Sequence, residues 1–148
     1  MLKYNKPNLK SWTEESMEFK VSTEKGVRPI TVIQVEGNID SASYQDFQSK
    51  AEELVAAGAR DILIDLTKTH FVSSAGIRAI HSLFNKLRTF SPDMSDEEMR
   101  KGINAGTYKS PHLKLLNPSK EAATTFEMTG LGMYIEIYTD RKKALSSF

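Results

Sequence analysis

Cysteine is absent from the 148 residues, which excludes both a disulfide framework and a thiolate metal site. No stretch approaches the ~18 consecutive apolar residues of a membrane-spanning helix, and the opening Met1-Leu2-Lys3-Tyr4-Asn5-Lys6-Pro7 lacks an apolar signal core. No membrane span is expected, and the cytoplasm is the expected location. Neither sign of charge dominates: 20 basic against 19 acidic residues give a net charge of +1. No Lys/Arg stretch is dense or aromatic-interleaved enough to track a phosphate backbone, so nucleic acid is not an expected partner.

Catalytic signatures are missing too. His70, His81 and His112 do not have metal-ligand spacing, and neither a P-loop nor a dinucleotide-binding glycine pattern occurs. Ser73-Ser74-Ala75-Gly76 lacks the first glycine of a nucleophile elbow. The expectation is a protein with no metal, no cofactor and no catalysis of its own.

What is present is one domain's worth of alternating strand and helix patterns, with 39% hydrophobic residues, enough to bury roughly two-thirds of the unfolded surface. Residues 1–16 are polar and unpatterned apart from Trp12, and read as an N-terminal arm. Met17 to Thr23 and Pro29 to Val35 alternate apolar and polar residues around a Glu24-Lys25-Gly26 turn, which predicts an antiparallel hairpin. Gly37 to Asp40 breaks the second strand. From Ser41, the spacing of Tyr44, Phe47, Ala51, Leu54 and Val55 predicts a helix stopped by Gly58.

Asp61-Ile62-Leu63-Ile64-Asp65-Leu66 reads as a strand buried on both faces, as in a parallel sheet. A second helix follows Ser73 and Ser74. Its buried stripe is Ile77, Ile80, Leu83, Phe84 and Leu87, and Arg78, Ser82, Asn85 and Thr89 lie on the opposite face. Further on, a strand is predicted at Leu113 to Leu116, a helix at Ser119 to Met128, a strand at Met133 to Tyr138 and a helix at Asp140 to Ser147. Between the second helix and the Leu113 strand, Ser91 to His112 is far longer than the usual ~2 to 6 residues of such a connection. Its Ser95-Asp96-Glu97-Glu98 matches a capping box, predicting a short helix to about Lys101, with Gly102, Gly106 and Pro111 making the rest loop-like. Strands alternating with helices give an α/β layered domain.

Phe71-Val72-Ser73-Ser74-Ala75-Gly76-Ile77-Arg78 carries the most chemical information. Hydroxyls at the start of a helix sit beside unpaired backbone N–H groups and the positive end of the helix dipole, a favourable seat for a phosphoserine. Serine also fills such positions simply as a helix cap. Arg78, one turn beyond Ser74, is spaced either to reach that phosphate or to contact a partner. Asp40 beside Ser41 is readable as a helix cap, and Gly76 as a site of tight packing or of close partner approach.

Three blocks in order, Val35-Glu36-Gly37-Asn38-Ile39-Asp40, then Asp61 to Leu66 with Phe71 to Arg78, then Phe126-Glu127-Met128-Thr129-Gly130-Leu131, resemble the STAS domain of anti-sigma factor antagonists and sulphate-transporter tails. The resemblance covers residues 17–148, with 91–112 as an insertion absent from the minimal pattern. It implies a mixed, mostly parallel sheet of about five strands, opened by an N-terminal hairpin and packed against four to five helices. It also implies a phosphorylation-controlled partner switch: the unphosphorylated protein binds a GHKL-type anti-sigma serine kinase, phosphorylation of one serine releases it, and a metal-dependent serine phosphatase resets it.

Carried over by position, the phosphoacceptor is Ser74, two residues before Gly76. Ser73 stands where many members have aspartate, which leaves it as the alternative acceptor. The implied partner face gathers Asp40, Ser73, Ser74, Gly76, Arg78 and Ser82. Two other functions remain open: a STAS scaffold that binds a protein without being phosphorylated, and a sensor of a nucleotide or lipid at the sheet's edge. The oligomeric state is left undetermined.

Overall fold

A computed structural model describes residues 17–90 and 94–148; the expected arm at 1–16 lies outside them. Strands β1 (Glu18–Lys25), β2 (Pro29–Glu36), β3 (Ile62–Lys68), β4 (Leu113–Leu116) and β5 (Glu136–Tyr138) form one sheet in the order β1-β2-β3-β4-β5. The β1–β2 pair is antiparallel and the other three pairs are parallel. Helices α1 (Tyr44–Ala56), α2 (Ser74–Arg88), α3 (Asp96–Ala105), α4 (Lys120–Thr129) and α5 (Arg141–Ser146) complete the α/β domain.

Alternation places Ile33 and Val35 of β2, Ile62, Ile64 and Leu66 of β3, and Leu113 and Leu115 of β4 on one face of the sheet. There they join Phe47, Ala51 and Val55 of α1, the stripe Ile77, Ile80, Leu83, Phe84 and Leu87 of α2, and Phe126 of α4 in the main core. Ile30, Val32, Leu63 and Leu116 point to the other face, where Ala144, Leu145 and Phe148 cover them. Strand β3 is thus buried on both faces, which explains its near-continuous apolar run. Each fully buried Ile, Leu or Phe contributes about 1.5–3 kcal/mol relative to exposure.

The elements differ from the sequence expectation at four places. The turn expected at Glu24-Lys25-Gly26 falls later, because Glu24 and Lys25 still belong to β1 and pair with Ile30 and Pro29. Helix α1 begins at Tyr44 rather than Ser41, because residues 41–43 are drawn into a turn: Ala42 N and Ser43 N donate to Asp40 Oδ1 at 3.0 and 3.2 Å. Helix α3 runs through Gly102 to Ala105, beyond the expected Lys101. Gly102 is tolerated there because Tyr108 packs over it; a β-carbon at Gly102 would lie 2.9 Å from Tyr108 Cβ. The capping box at Ser95 and Glu98 is present, and Gly106 ends α3 in the left-handed region at φ 75°.

The last strand is shorter than expected. Leu131–Met133 is a 3-10 turn after Gly130, closed by Met133 N donating to Gly130 O at 3.0 Å, and β5 begins only at Glu136. Leu131 and Ile135 are both buried, so the segment carries strand-like apolar residues without strand geometry. No helix among the described residues is long and apolar enough to cross a membrane.

Candidate functional site

The parallel strands β2 and β3 end side by side, and the loops that follow them meet. Gly37 terminates β2 with φ 112°, a conformation open to glycine and costly for other residues. Beyond it Ile39 forms a parallel bridge with Val72. Ile39 N donates to Phe71 O at 3.0 Å, and Ser73 N donates to Ile39 O at 2.8 Å. Asn38 Oδ1 accepts from Phe71 N at 3.0 Å, while the Asn38 carbonyl accepts from Ser43 Oγ at 2.6 Å. These bonds make the 37–43 loop a brace for the 71–74 loop. The carboxyl ends of parallel strands are where open α/β sheets place their sites.

The two serines have different surroundings. Ser73 is the N-cap of α2, with φ −86° and ψ 177°, and its Oγ accepts from Gly76 N at 3.4 Å. Ser74 is the first helical residue, is exposed, and has no side-chain hydrogen-bond partner among the described residues. One hydroxyl is therefore used in capping and the other faces solvent at the positive end of a helix dipole.

Gly76 is buried against the brace: a β-carbon there would stand 2.6 Å from the Ile39 carbonyl oxygen and 2.8 Å from Val72 Cγ1. This is the tight-packing reading of that glycine. Asp40 is half-buried, and its Oδ1 lies 3.1 Å from Ser43 Oγ, whose single proton goes mainly to the nearer Asn38 carbonyl; with the Ala42 and Ser43 amides it accepts, its carboxylate closes the turn before α1. Arg78 and Ser82 are exposed on the face of α2 that continues from Ser74. Arg78 makes no ion pair with a described residue, and Ser82 borders a shallow seam between α1 and α2 with Gln48, Glu52 and Lys86.

The structure therefore brings Asp40, Ser73, Ser74 and Gly76 to one sheet end, with Arg78 and Ser82 leading away along α2. Farther along that helix, His81 Nδ1 lies 2.7 Å from Tyr134 Oη. Burial pushes the His81 pKa down and the Tyr134 pKa up. Both directions leave the pair neutral at pH 7, with the phenol donating to imidazole Nδ1.

Residues with no obvious motif signal also build the site. Ile39 acts through its carbonyl, Asn38 through both its amide oxygen and its carbonyl, and Ser119 Oγ donates to His70 O at 2.5 Å, holding the β3–α2 loop from the α4 side. Phe71, 39% exposed, places an apolar ring beside the serines. Asn after Gly37 is a turn signal in its own right; Ile39 had no signal. Among the described residues no group of three or more His, Asp or Glu side chains is placed to hold a metal ion.

Comparison with known proteins agrees with this geometry. No curated protein sequence matches the chain. An anti-sigma factor antagonist from Mycobacterium paratuberculosis superposes with a TM-score of 0.65 at 18% identity, covering 88% of this chain and 92% of its own. The anti-sigma factor antagonist SpoIIAA in its unphosphorylated form gives 0.60 at 19% identity, over 84% of this chain and 92% of its own. The phosphorylated form of SpoIIAA from Bacillus gives 0.54 at 19% identity, over 84% and 96%. At these identities the structures share a fold; residues 20–90, just under half of the chain, from within β1 to just past α2, match the STAS domain model. Residues 20–90 are thus similar to a STAS domain, and the described chain shares the fold of solved anti-sigma factor antagonists.

Proposed function

We propose that this protein is an anti-sigma factor antagonist that works as a phosphorylation-controlled partner switch, with Ser74 as the phosphoacceptor. One observation carries the assignment of the serine: the Ser74 hydroxyl is exposed and unpartnered among the described residues, whereas Ser73 Oγ caps α2. Similarity to solved anti-sigma factor antagonists, one of them in a phosphorylated form, supports the role. Residues 17–148 form the domain, with 91–112 as its insertion. It acts in the cytoplasm without catalysis of its own.

A phosphoryl group brings about −1.5 to −2 charge at neutral pH. At the first turn of α2 the helix dipole favours that charge by up to about 1 kcal/mol, so the fold accommodates it. The effect then falls on the partner. Burying a dianion against a surface fitted to a neutral hydroxyl costs several kcal/mol, and about 2.7 kcal/mol is already a hundredfold in affinity.

The unphosphorylated protein binds a GHKL-type anti-sigma serine kinase through Ser74, Arg78, Ser82 and the neighbouring Asp40 and Ser73. The kinase phosphorylates Ser74 and releases the protein, and a metal-dependent serine phosphatase restores it. The Arg78 guanidinium, which has no ion-pair partner among the described residues and lies one turn from Ser74, either steadies the phosphate or docks the kinase.

Affinity capture on the immobilised chain, with bound proteins identified by mass spectrometry, tests this reading. Wild type and Ser73→Ala are expected to retain a GHKL-type kinase, and Ser74→Asp to lose it by roughly a hundredfold. A kinase retained equally by Ser74→Asp contradicts the switch. A native complex that persists with the Ser73→Ala, Ser74→Ala double variant under every growth condition identifies an unswitched scaffold instead.

A further inference from the structure

At the far end of α2 from Ser74, about 20 Å along the helix axis by its rise per residue, a partly enclosed cavity of about 140 Å³ opens between α2, α3 and the 108–112 segment leading into β4. One wall is apolar: Leu87 of α2, Met94 and Met99 from the insertion, and Tyr108, whose ring packs edge-on against Phe84 at 6.3 Å between centroids. The other wall presents Arg88, Lys109, Ser110 and His112. Most of this lining follows the segment that matches the STAS model, which ends at residue 90.

The polar wall holds unspent hydrogen-bonding capacity. Ser110 is 3% exposed. Its Oγ accepts from His112 N at 3.3 Å and from Leu113 N at 3.2 Å, and no acceptor for its own proton lies among the described residues. His112 is fixed by Nδ1, 2.9 Å from the buried Asp61 Oδ1, and its other ring nitrogen has no partner among the described residues. Lys109 Nζ donates to Gly132 O and Met133 O at 3.2 and 2.9 Å, makes no ion pair with a described carboxylate, and helps at longer range to lower the Glu136 pKa. Arg88 has Asp96 at 2.9 Å, but that carboxylate is a solvent-exposed rim group with side-chain exposure of 80%. The lining holds two cationic side chains, Arg88 and Lys109, and no carboxylate among the described residues, and a buried hydroxyl proton asks for an acceptor.

We propose that this cavity binds a small carboxylate with an apolar body, of about the size of benzoate. A cavity of about 150 Å³ accommodates a benzene ring. The body lies against Leu87, Met99 and Tyr108, while the carboxylate accepts from Ser110 Oγ and lies toward the Lys109 ammonium. The site is separate from the Ser74 surface and does not depend on the function proposed for it.

Titration of the isotope-labelled 148-residue protein with benzoate and hexanoate, followed by amide NMR at constant ionic strength, tests the proposal. At least one carboxylate is expected to give saturable shifts confined to residues 87–112, with a Kd from roughly 0.1 to a few millimolar, as suits so few atoms. Benzyl alcohol is expected to bind at least about tenfold more weakly, and Lys109→Met to weaken the carboxylate by about tenfold. Ser110→Ala is expected to weaken it severalfold; should loss of the Ser110 bonds unfold that variant, exposed Lys109 supplies the decisive comparison. Absence of saturable shifts with both carboxylates, equal binding of benzyl alcohol, or binding unchanged in Lys109→Met each overturns the proposal.

Discussion

The α-carbon of Gly76 lies against the carbonyl oxygen of Ile39, so close that a β-carbon on Gly76 would stand 2.6 Å from it. The same carbonyl accepts the amide of Ser73 at 2.8 Å. The helix that carries the serines is thus pressed onto the neighbouring loop, and any side chain at 76 must push backbone away. Gly76→Ala is expected to destabilise the protein by about 1–3 kcal/mol, the usual cost of overpacking a rigid site. Urea unfolding measures this; a midpoint equal to wild type would show that the loop yields freely.

The two serines separate by stability. Ser73→Ala removes the cap of α2 and is expected to cost about 0.5–1 kcal/mol, the low end for an N-cap because its bond to Gly76 N is long at 3.4 Å. Ser74→Ala removes a solvent-facing hydroxyl and is expected to stay within about 0.5 kcal/mol of wild type. Thermal unfolding of both variants checks the order. A larger loss at Ser74 would mean that its hydroxyl, not that of Ser73, carries the cap.

Much of this architecture is readable from residue patterns, and the exceptions have physical causes. The hairpin alternation, the apolar run of β3 and the stripe of α2 each reflect burial of a face, which periodicity reports directly. The strand expected from Met133 starts late because the 3-10 turn after Gly130 takes up Met133, while buried Ile135 fits a strand pattern without strand geometry. Extension of α3 through Gly102 depends on Tyr108 folding back over it. At the site, Ser73, Ser74 and Arg78 were legible as a helix start with its first turn. Ile39 was not, because it contributes a backbone carbonyl brought to Gly76 by the bridge to Val72, a contact between residues distant in sequence.

His81 gives the stability a measurable pH dependence. Burial lowers its folded pKa below the ordinary 6.5, so between those two values the unfolded chain binds more proton than the folded one. The contribution is fully present above about pH 6.5 and is lost as pH falls through the lowered folded value. NMR titration should place the His81 midpoint below that of a free imidazole, and His81→Gln should flatten this part of the stability profile. Tyr134→Phe, which removes the hydroxyl 2.7 Å from Nδ1, is expected to cost about 1 kcal/mol. A His81 midpoint at or above the ordinary value would contradict the neutral pair.

A second ionic feature lies on the α5 side of the sheet. Lys114, 4% exposed, donates to Glu136 Oε1 at 2.8 Å and to Ser147 O at 3.2 Å. The Lys114 hydrogen bond is the main reason the Glu136 pKa falls below 4.5. A lowered carboxylate pKa stabilises the fold above the unfolded value, and that contribution disappears as pH drops through the folded one. Glu136→Leu leaves the buried ammonium without its carboxylate and is expected to cost roughly 1–2 kcal/mol, less than a fully buried pair because the Glu136 side chain is 37% exposed and Ser147 O still accepts. Urea unfolding at pH 7 and pH 3 checks both parts: the variant's deficit should shrink at the acid end, and an equal deficit at both would refute the ion pair's role.

The central claim is that Ser74 is switched by a phosphoryl group, and it is tested most directly by intact-mass and fragmentation mass spectrometry of the protein isolated from its own cells, growing and stressed. A single phosphoryl group on Ser74 whose occupancy changes with condition is the predicted result. A protein never phosphorylated under any condition, or phosphorylated only on Ser73, would contradict it.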